Sequence, residues 1–320
     1  MSDVIASTAF PNPADAPQTP SGAAVFLDHV GWFVPDMDRM SATMEKLGFI
    51  LTPFVAQHNA DPEGGPPIPA GTGNRCAMLQ RGYLEFLAAV PGVDTPLSQQ
   101  LNNALDRYHG LHLVAFTIDD SKGAHEQLQS GGFTPLDPVH LRRPLTLGDG
   151  SEAEVAFTVL RVPPETMPEG RVQMLRQETP DLVWQDHIIA RDNGIVALGG
   201  VILCVDDVEE VSGRFSRFTG KAIDGEGNYR SLSLDRGRLA FATPTALAQH
   251  LPDIKVPTTP FMAAVCLQSG NLKKTRQFLS GASVATSPLS DHAVLISPED
   301  AAGAAIIIFD ENDVWPAKAE

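Results

Sequence analysis

The chain has 320 residues, and 43% of them are hydrophobic, which is enough to bury a sizeable core. Asp and Glu outnumber Lys and Arg by 39 to 23, and no arginine run offsets the net charge of -16, so nucleic acid is not expected as a partner. Because every apolar run is shorter than the roughly 20 residues of a membrane span, no membrane association is expected either.

The first 21 residues are rich in proline, alanine and serine, and they predict a flexible arm. They have neither the positively charged start nor the apolar centre of a secretory signal, so we expect a cytoplasmic protein. Cys76, Cys204 and Cys266 lie far apart without a CxxC spacing. This pattern predicts buried free thiols rather than disulfides or a cysteine metal site.

After the arm, a pattern of one strand, one helix and further strands begins at Val25. The run VFLDHVGWFVPD is typical of a strand, MDRMSATMEKLGF predicts a helix that ends at Gly48, and NRCAMLQRGYLEFLA predicts a hairpin that turns at Arg81 and Gly82. Phe49 follows the terminating glycine, as expected for a glycine C-cap with an aromatic residue folded back onto the helix.

The same pattern returns from Gly110, with the strand GLHLVAFTIDD, the helix KGAHEQLQSGGF and three strands that end in GRVQMLRQ. A third copy reads GGVILCVDD, VEEVSGRFSRFTG and SLSLDRGRLAFAT, and its hairpin DRGRLAFAT matches QRGYLEFLA nearly position by position. A fourth reads FMAAVCLQSG, NLKKTRQFLSG, HAVLISPED and AAIIIFD. Four βαβββ units therefore account for nearly the whole chain after the arm and predict an α+β fold.

These units resemble the paired βαβββ modules of the vicinal oxygen chelate superfamily, which includes glyoxalase I, methylmalonyl-CoA epimerase, extradiol dioxygenases and bleomycin-binding proteins. The segment LDHVGWFVPDMDRMSATMEKLGF is also similar to the opening of bacterial glyoxalase-like domain proteins. The resemblance implies that two modules pair so that their curved mixed sheets form one cup, and that four modules make two cups. We therefore expect an arm over 1–21, a first domain over 22–190 with modules 22–90 and 108–180, and a second domain over 195–316.

The resemblance also implies a metal site, because family members take their ligands from the first and last strands of paired modules. His29 and His112 open the first strands of the first two modules, and Glu85 lies in the last strand of the first module. Two imidazoles and a carboxylate suit a divalent ion, so the expected cofactor is Fe2+, Mn2+, Ni2+ or Zn2+.

The fourth position of such a site falls on or near Gln173. Glyoxalase I and the epimerases usually carry a glutamate base there, and glutamine cannot replace it, unless the register differs and Glu178 takes the role. We assign no catalytic residue from the sequence.

Further polar side chains are candidates for substrate binding, since they supply donors for an anionic oxygen in an otherwise acidic chain. The alternative is that the arginines among them are solvated charges on edge strands. The candidates are Asn74, Arg75, His140, Arg142, Arg143 and Gln173.

The second pair of modules lacks the ligand residue types. Aligning the repeats puts Gly200 opposite His29 and Ala240 opposite Glu85, and the fourth module offers Ala263 and an isoleucine near Ile307. We therefore predict a degenerate second domain without metal ligands.

Together these features predict a metal-dependent enzyme that binds a small substrate through two adjacent oxygens. Its chemistry would be of the lyase or isomerase type, or ring cleavage as in extradiol dioxygenases if the ion is iron. The alternative is a metal-free protein that sequesters a small molecule, in which His29 and Glu85 hydrogen-bond to each other or to neighbours. A monomer or a homodimer is compatible with this organisation.

Overall fold

Strands and helices alternate in four successive βαβββ units in the computed structural model, which describes residues 17–59, 65–148 and 150–317. The described residues form seven α-helices and sixteen strands in a large, curved, unclosed mixed sheet. The predicted α+β fold is confirmed. Residues 1–16 of the predicted arm lie outside the described residues.

The first two units occupy the amino-terminal half. Their elements are Phe26–Phe33 (β1), Met37–Lys46 (α1), Val55–Asn59 (β2), Ile68–Met78 (β3), Tyr83–Ala89 (β4), Pro96–Arg107 (α2), Gly110–Thr117 (β5), Ser121–Ser130 (α3), Val139–Thr146 (β6), Glu152–Arg161 (β7), Arg171–Gln177 (β8) and Pro180–Val183 (α4).

The third and fourth units form the carboxy-terminal half. Their elements are Ile195–Cys204 (β9), Val208–Thr219 (α5), Ile223–Asp224 (β10), Tyr229–Ser233 (β11), Arg238–Ala242 (β12), Pro244–His250 (α6), Phe261–Ser269 (β13), Leu272–Gly281 (α7), Ser287–Ser290 (β14), Ala293–Ile296 (β15) and Ala305–Phe309 (β16).

Each unit starts its main helix with the same device. Asp36, Asp120, Asp207 and Asn271 cap α1, α3, α5 and α7, because each side chain accepts a hydrogen bond from a backbone N–H of the first turn. These four caps are equivalent positions, and they fix the alignment of the units.

The first strands of paired units run antiparallel around a central residue pair. Val30 of β1 pairs with Val114 of β5, and Val201 of β9 pairs with Val265 of β13. Counted back from the helix caps, these four valines are equivalent residues, so each half has a local twofold axis at its valine pair. Within each half the strands follow the same spatial order, with β2 or β10 at one edge and β6 or β14 at the other.

The near-identical hairpins noted in the sequence join the two halves reciprocally. Arg81, at the β3–β4 turn, forms a parallel bridge with Ala197, and Arg236, at the β11–β12 turn, forms the equivalent bridge with Phe26. The side chain of Arg236 also donates to the carbonyl of Pro17 at 2.8 Å, which holds this end of the arm against the second half.

The apolar core on the helix side of the sheet is continuous through both halves and includes Trp32, Phe116, Phe215 and Val265. Two separate apolar clusters fill parts of the two cups. The domain limits of 22–190 and 195–316 stay a prediction. All three cysteines are free, as predicted, with Cys204 and Cys266 buried and Cys76 partly buried. None of the described helices has the length and apolar character that crossing a membrane requires.

Candidate active site

The inner face of the amino-terminal cup carries a hydrogen-bonded aspartate and histidine. The register of β1 against β5 is irregular between Leu27 and His29, so the adjacent side chains of Asp28 and His29 meet instead of alternating. The His29 Nδ1 lies 2.8 Å from Asp28 Oδ2, and both side chains are buried. Because a carboxylate accepts and does not donate, Nδ1 carries the proton. In the neutral ring Nε2 is then unprotonated, and it faces the cup.

Glu85 lies on the other side of the imidazole. Its Oε2 is 3.7 Å from His29 Nε2, while its Oε1 accepts a hydrogen bond of 2.5 Å from the Asn74 amide. A separation of 3.7 Å exceeds hydrogen-bond length, so the imidazole nitrogen and the carboxylate face each other without bonding. A substrate proton or oxygen can be recognised by both groups at this point.

Asp28 and His29 are held in place by their surroundings. Tyr83 stacks on the imidazole with ring centroids 4.4 Å apart, and the amide of Gln177 lies 3.3 Å from both oxygens of Asp28. Burial raises the pKa of the Tyr83 hydroxyl well above its ordinary value, and the negative charge of Asp28 adds to this shift. The histidine is therefore fixed in one orientation.

His112 does not join this group. Its Nε2 is 2.8 Å from the carbonyl oxygen of Tyr108, its Nδ1 is buried without a hydrogen-bond partner among the described residues, and its ring stacks on Tyr108 with centroids 3.9 Å apart. Burial lowers the pKa of His112 to about 4, so the ring is neutral near pH 7.

The expected equivalence of His29 and His112 is wrong by one residue. The central pair Val30 and Val114 makes Leu113 the counterpart of His29, and it makes Asp28 the counterpart of His112. The two histidines align only when the strand sequences are compared without the helix caps Asp36 and Asp120, each of which lies six residues after the central valine. In a strand, a shift of one residue changes the face on which a side chain lies.

The register also fixes the closing strands. Gly31 pairs with Glu85, and its counterpart Ala115 pairs with Gln173, so Gln173 occupies the position that the repeat predicts. The four ligand positions of the paired modules therefore hold His29, Glu85, Leu113 and Gln173. Leucine cannot ligate a metal, and no three His, Cys, Asp or Glu side chains converge on a metal position within the described part of the chain. The predicted three-ligand site does not fit these residues.

Half of the predicted substrate-binding residues share the cup face with Glu85 and half do not. Asn74 and Gln173 are on it by strand pairing, and Arg143 donates from β6 to the His58 carbonyl of β2 at 2.6 Å. The other three candidates have partners elsewhere: Arg75 binds Ser41 and Thr52, His140 contacts Thr158, and exposed Arg142 pairs with Glu154.

Two further arginines on the cup face were not predicted. Arg161 pairs with Gln173 across the β7–β8 ladder, and Arg171 lies two residues before Gln173 in β8. Burial lowers the pKa of both guanidinium groups, to about 10 for Arg171, while the charge of Glu85 raises both. The sequence contains a pattern that could have placed Arg161, because period-two alternation along the strand puts it on the same face as Val159 and Phe157.

Comparison with known proteins identifies the family of this chain. The family model described as "Glyoxalase-like domain" matches residues 27–219, and the chain belongs to that family. It is accordingly a member of the vicinal oxygen chelate superfamily, as the resemblance of its βαβββ units implied. No curated protein sequence matches the chain.

Solved structures share the fold over nearly the whole chain. A hypothetical protein from Staphylococcus aureus matches with a TM-score of 0.62 at 12% identity, covering 89% of this chain and 99% of its own. A variant of 4-hydroxymandelate synthase from Streptomyces coelicolor matches with a TM-score of 0.56 at 12% identity, covering 92% and 95%. A xylose isomerase-like TIM barrel/4-hydroxyphenylpyruvate dioxygenase fusion protein matches with a TM-score of 0.57 at 13% identity, covering 94% of this chain and 51% of the fusion.

Proposed function

We propose that this protein is an acid–base enzyme of lyase or isomerase type, in which His29 removes a carbon-bound proton from a small substrate with two adjacent oxygens. The observation that carries the proposal is the buried pair of Asp28 and His29, whose Nε2 faces Glu85 across 3.7 Å. A histidine oriented by a carboxylate and directed into a cup is an arrangement suited to a general base.

The proposed step balances without an oxidant. His29 Nε2 takes a proton from a carbon next to a carbonyl group, the electron pair moves onto the carbonyl oxygen, and the Asp28 carboxylate stabilises the resulting imidazolium. Glu85 is next to the same nitrogen and can exchange a proton with a substrate oxygen. Return of the proton to the same or the neighbouring carbon completes an epimerisation or isomerisation.

A divalent ion remains an expectation from the resemblance, for which the cup supplies two side chains, His29 and Glu85, rather than three. Ring cleavage by a dioxygenase would need the same ion. Elemental analysis decides this point: stoichiometric metal that is lost in Glu85→Gln would replace the present proposal with a metal-dependent one.

The second candidate function is sequestration of a small molecule without chemistry. It is favoured by the hydrogen bonds that already engage the polar groups, from Asn74 to Glu85 and between His29 and Asp28. The two functions differ in one observable, since only the enzyme exchanges a substrate proton with solvent.

The test is exchange in D2O, followed by proton NMR on a panel of small 2-hydroxy and 2-oxo carboxylates. The wild-type protein should remove a C–H signal from at least one compound, and His29→Gln should lower that rate by about a hundredfold or more. Asp28→Asn should lower the rate and also shift its pH profile, because Asp28 acts through His29.

The matched control is His140→Gln, which removes a histidine whose contact is Thr158 rather than the cup. It should exchange at the wild-type rate. Equal exchange by wild type and His29→Gln would rule out the base, and binding without exchange across the panel would support sequestration.

A further inference from the structure

Three arginines face the cup without an acidic contact among the residues that the structure describes. The guanidinium of Arg171 donates to Gln100 Oε1 at 2.8 Å and lies over the ring of Phe33, with Cζ 5.1 Å from its centroid. Arg161 Nε donates to Gln173 Oε1 at 3.3 Å. Arg143 donates to the backbone carbonyl of His58. Within the described residues, the hydrogen bonds of these three side chains all go to neutral oxygens.

Several other arginines of this chain contact a carboxylate directly. Arg214 holds Glu169 at 2.8 Å, Arg142 holds Glu154 at 2.5 Å, and Arg191 reaches Asp186 at 3.2 Å. No carboxylate of the described residues lies within 4 Å of the guanidinium nitrogens of the three cup arginines, which are partly buried. Arg75 and Arg107 also donate only to neutral oxygens within the described residues, but the three cup arginines lie together on one face of the sheet.

The charges around the cup do not balance internally. Glu85 is the carboxylate whose charge acts on all three arginines, and it is already bonded to Asn74. The guanidinium groups also act against each other, because Arg161 lowers the pKa of Arg171. Keeping like charges together in a partly buried site costs free energy unless an anion completes it.

We propose that Arg161 and Arg171, with Arg143 at the rim, form the subsite for an anionic group of the substrate, either a carboxylate or a phosphate. This inference rests on the proposed function, since it names the substrate class of the same cup. The guanidinium planes are prepared for such a group: Gln100 and Phe33 fix Arg171, and Gln173 fixes Arg161. Planar, pre-oriented guanidinium groups bind the two oxygens of a carboxylate or phosphate together.

The arrangement gives the substrate a direction. Its anionic end lies at β7 and β8, which β5 separates from His29 on β1 in the strand order, and Glu85 on β4 adjoins the imidazole on the side away from the arginines. A substrate held in this way presents the carbon beyond its anionic group to His29 Nε2. The arginine subsite thus selects acids or phosphate esters for the proton transfer.

The experiment is calorimetric titration of the full chain with malonate and with inorganic phosphate, in a buffer free of both. Saturable binding of at least one anion in the millimolar range is expected, and malonamide, a neutral analogue of malonate, should not bind. Arg161→Gln and Arg171→Gln should each weaken binding about tenfold or more. Arg142→Gln, an exposed arginine outside the cup, should bind like the wild type.

A stability measurement separates a ligand-binding role from a structural one. Without added anion, Arg161→Gln should unfold at the same temperature as the wild type or higher, because it removes an uncompensated charge. Malonate should raise the unfolding temperature of the wild type and not that of the variant. Loss of stability in the anion-free variant, with unchanged anion affinity, would overturn the proposal, as would the absence of saturable binding of both anions by the wild type.

His29→Gln distinguishes this inference from the proposed function. It should lose proton exchange and keep malonate or phosphate affinity within about twofold. Anion binding without exchange in the wild type would leave the subsite intact and refute the base, whereas exchange that is insensitive to Arg161→Gln and Arg171→Gln would refute the subsite and keep the base.

Discussion

The two cups of this protein have the same strand order and the same central valine pair, but one interior carries polar and charged side chains and the other is apolar. At four equivalent positions the first cup holds His29, Glu85, Leu113 and Gln173, and the second holds Gly200, Ala240, Ala264 and Ile307. Two titratable groups in one cup correspond to glycine and alanine in the other.

The second cup is filled by its own chain. Trp315 packs against the apolar cluster there, Arg238 donates to the Pro316 carbonyl at 3.1 Å, and Tyr229 donates to the Ala317 carbonyl at 2.9 Å. Small residues leave the room for this segment, and Gly200 in particular lies directly against Pro316. In the first cup the corresponding space is bordered by the arginines and by Gln100 of α2.

The scaffold and its chemistry are therefore separable in this fold. Identical backbone pairing supports either a charged cup or a closed apolar one, and the side chains at a few register positions decide which. The second half then contributes stability and packing to the first, through the reciprocal hairpin bridges and the continuous core.

The largest expected effect tests whether the halves are independent. Arg214 of the second half binds Glu169 of the first with two hydrogen bonds of 2.8 Å, and Glu169 is 1% exposed. Arg214→Ala leaves this carboxylate buried without its cation, so the free energy of unfolding should fall by about 3 to 5 kcal/mol. Urea unfolding measures it.

Arg142→Ala is the control for the loss of an arginine ion pair, because its pair with Glu154 is exposed, and it should cost about 1 kcal/mol or less. An Arg214→Ala protein as stable as Arg142→Ala, or one that unfolds in two separate steps where the wild type unfolds in one, would mean that the halves do not stabilise each other through this contact.

The next effect concerns the position where the first cup has His112 and the second has Ala263. Burial lowers the pKa of His112 from 6.5 to about 4. The unfolded chain therefore binds a proton at this residue between these pH values and the folded chain does not, so stability falls as the pH drops from 6.5 towards 4. Over that window the loss should be about 3 kcal/mol.

Unfolding in urea at pH 7 and pH 5 isolates this contribution by comparing wild type with His112→Leu. Loss of the hydrogen bond to Tyr108 lowers the stability of the variant equally at both pH values. From pH 7 to pH 5, the free energy of unfolding of the wild type should therefore fall by about 2 kcal/mol more than that of the variant. An equal loss in both proteins would show that His112 is protonated in the folded state at pH 5.

The repeat pattern was sufficient to predict the four units, because each unit carries its own strand and helix periods, and a glycine with positive φ follows the main helix of the first three. Glu85 and Gln173 were likewise placed correctly as equivalents, since each lies in a closing strand that a hairpin or a short loop positions. The prediction for His112 was wrong because FLDHVGWF and GLHLVAFT are most similar when they are aligned one residue out of their true register. A β-bulge beside each histidine conceals this shift in the sequence.

The arginines of the cup were harder to predict for another physical reason. Arg142 and Arg143 are adjacent and look equally suited to bind an anion, yet alternation directs Arg142 to solvent and Arg143 to the cup rim. Arg161 and Arg171 come from strands whose closeness to Glu85 depends on the curvature of the whole sheet. No local pattern encodes that curvature, so their convergence became visible in three dimensions.

The smallest effect tests whether the second cup is closed as described. A Cβ atom on Gly200 would contact Pro316 and would lie 2.5 Å from the carbonyl oxygen of Arg238. Gly200→Ala should therefore lower the free energy of unfolding by about 1 to 3 kcal/mol, because the tail segment or β12 must move. Gly213→Ala in α5 is the matched control, since its Cβ atom would have only an arginine nitrogen at 3.7 Å and alanine favours the helix, so stability should stay equal or rise. If Gly200→Ala instead matched Gly213→Ala, the segment around Pro316 would not be seated in the second cup, and the contrast between an open charged cup and a closed apolar one would have to rest on the side chains of the strands alone.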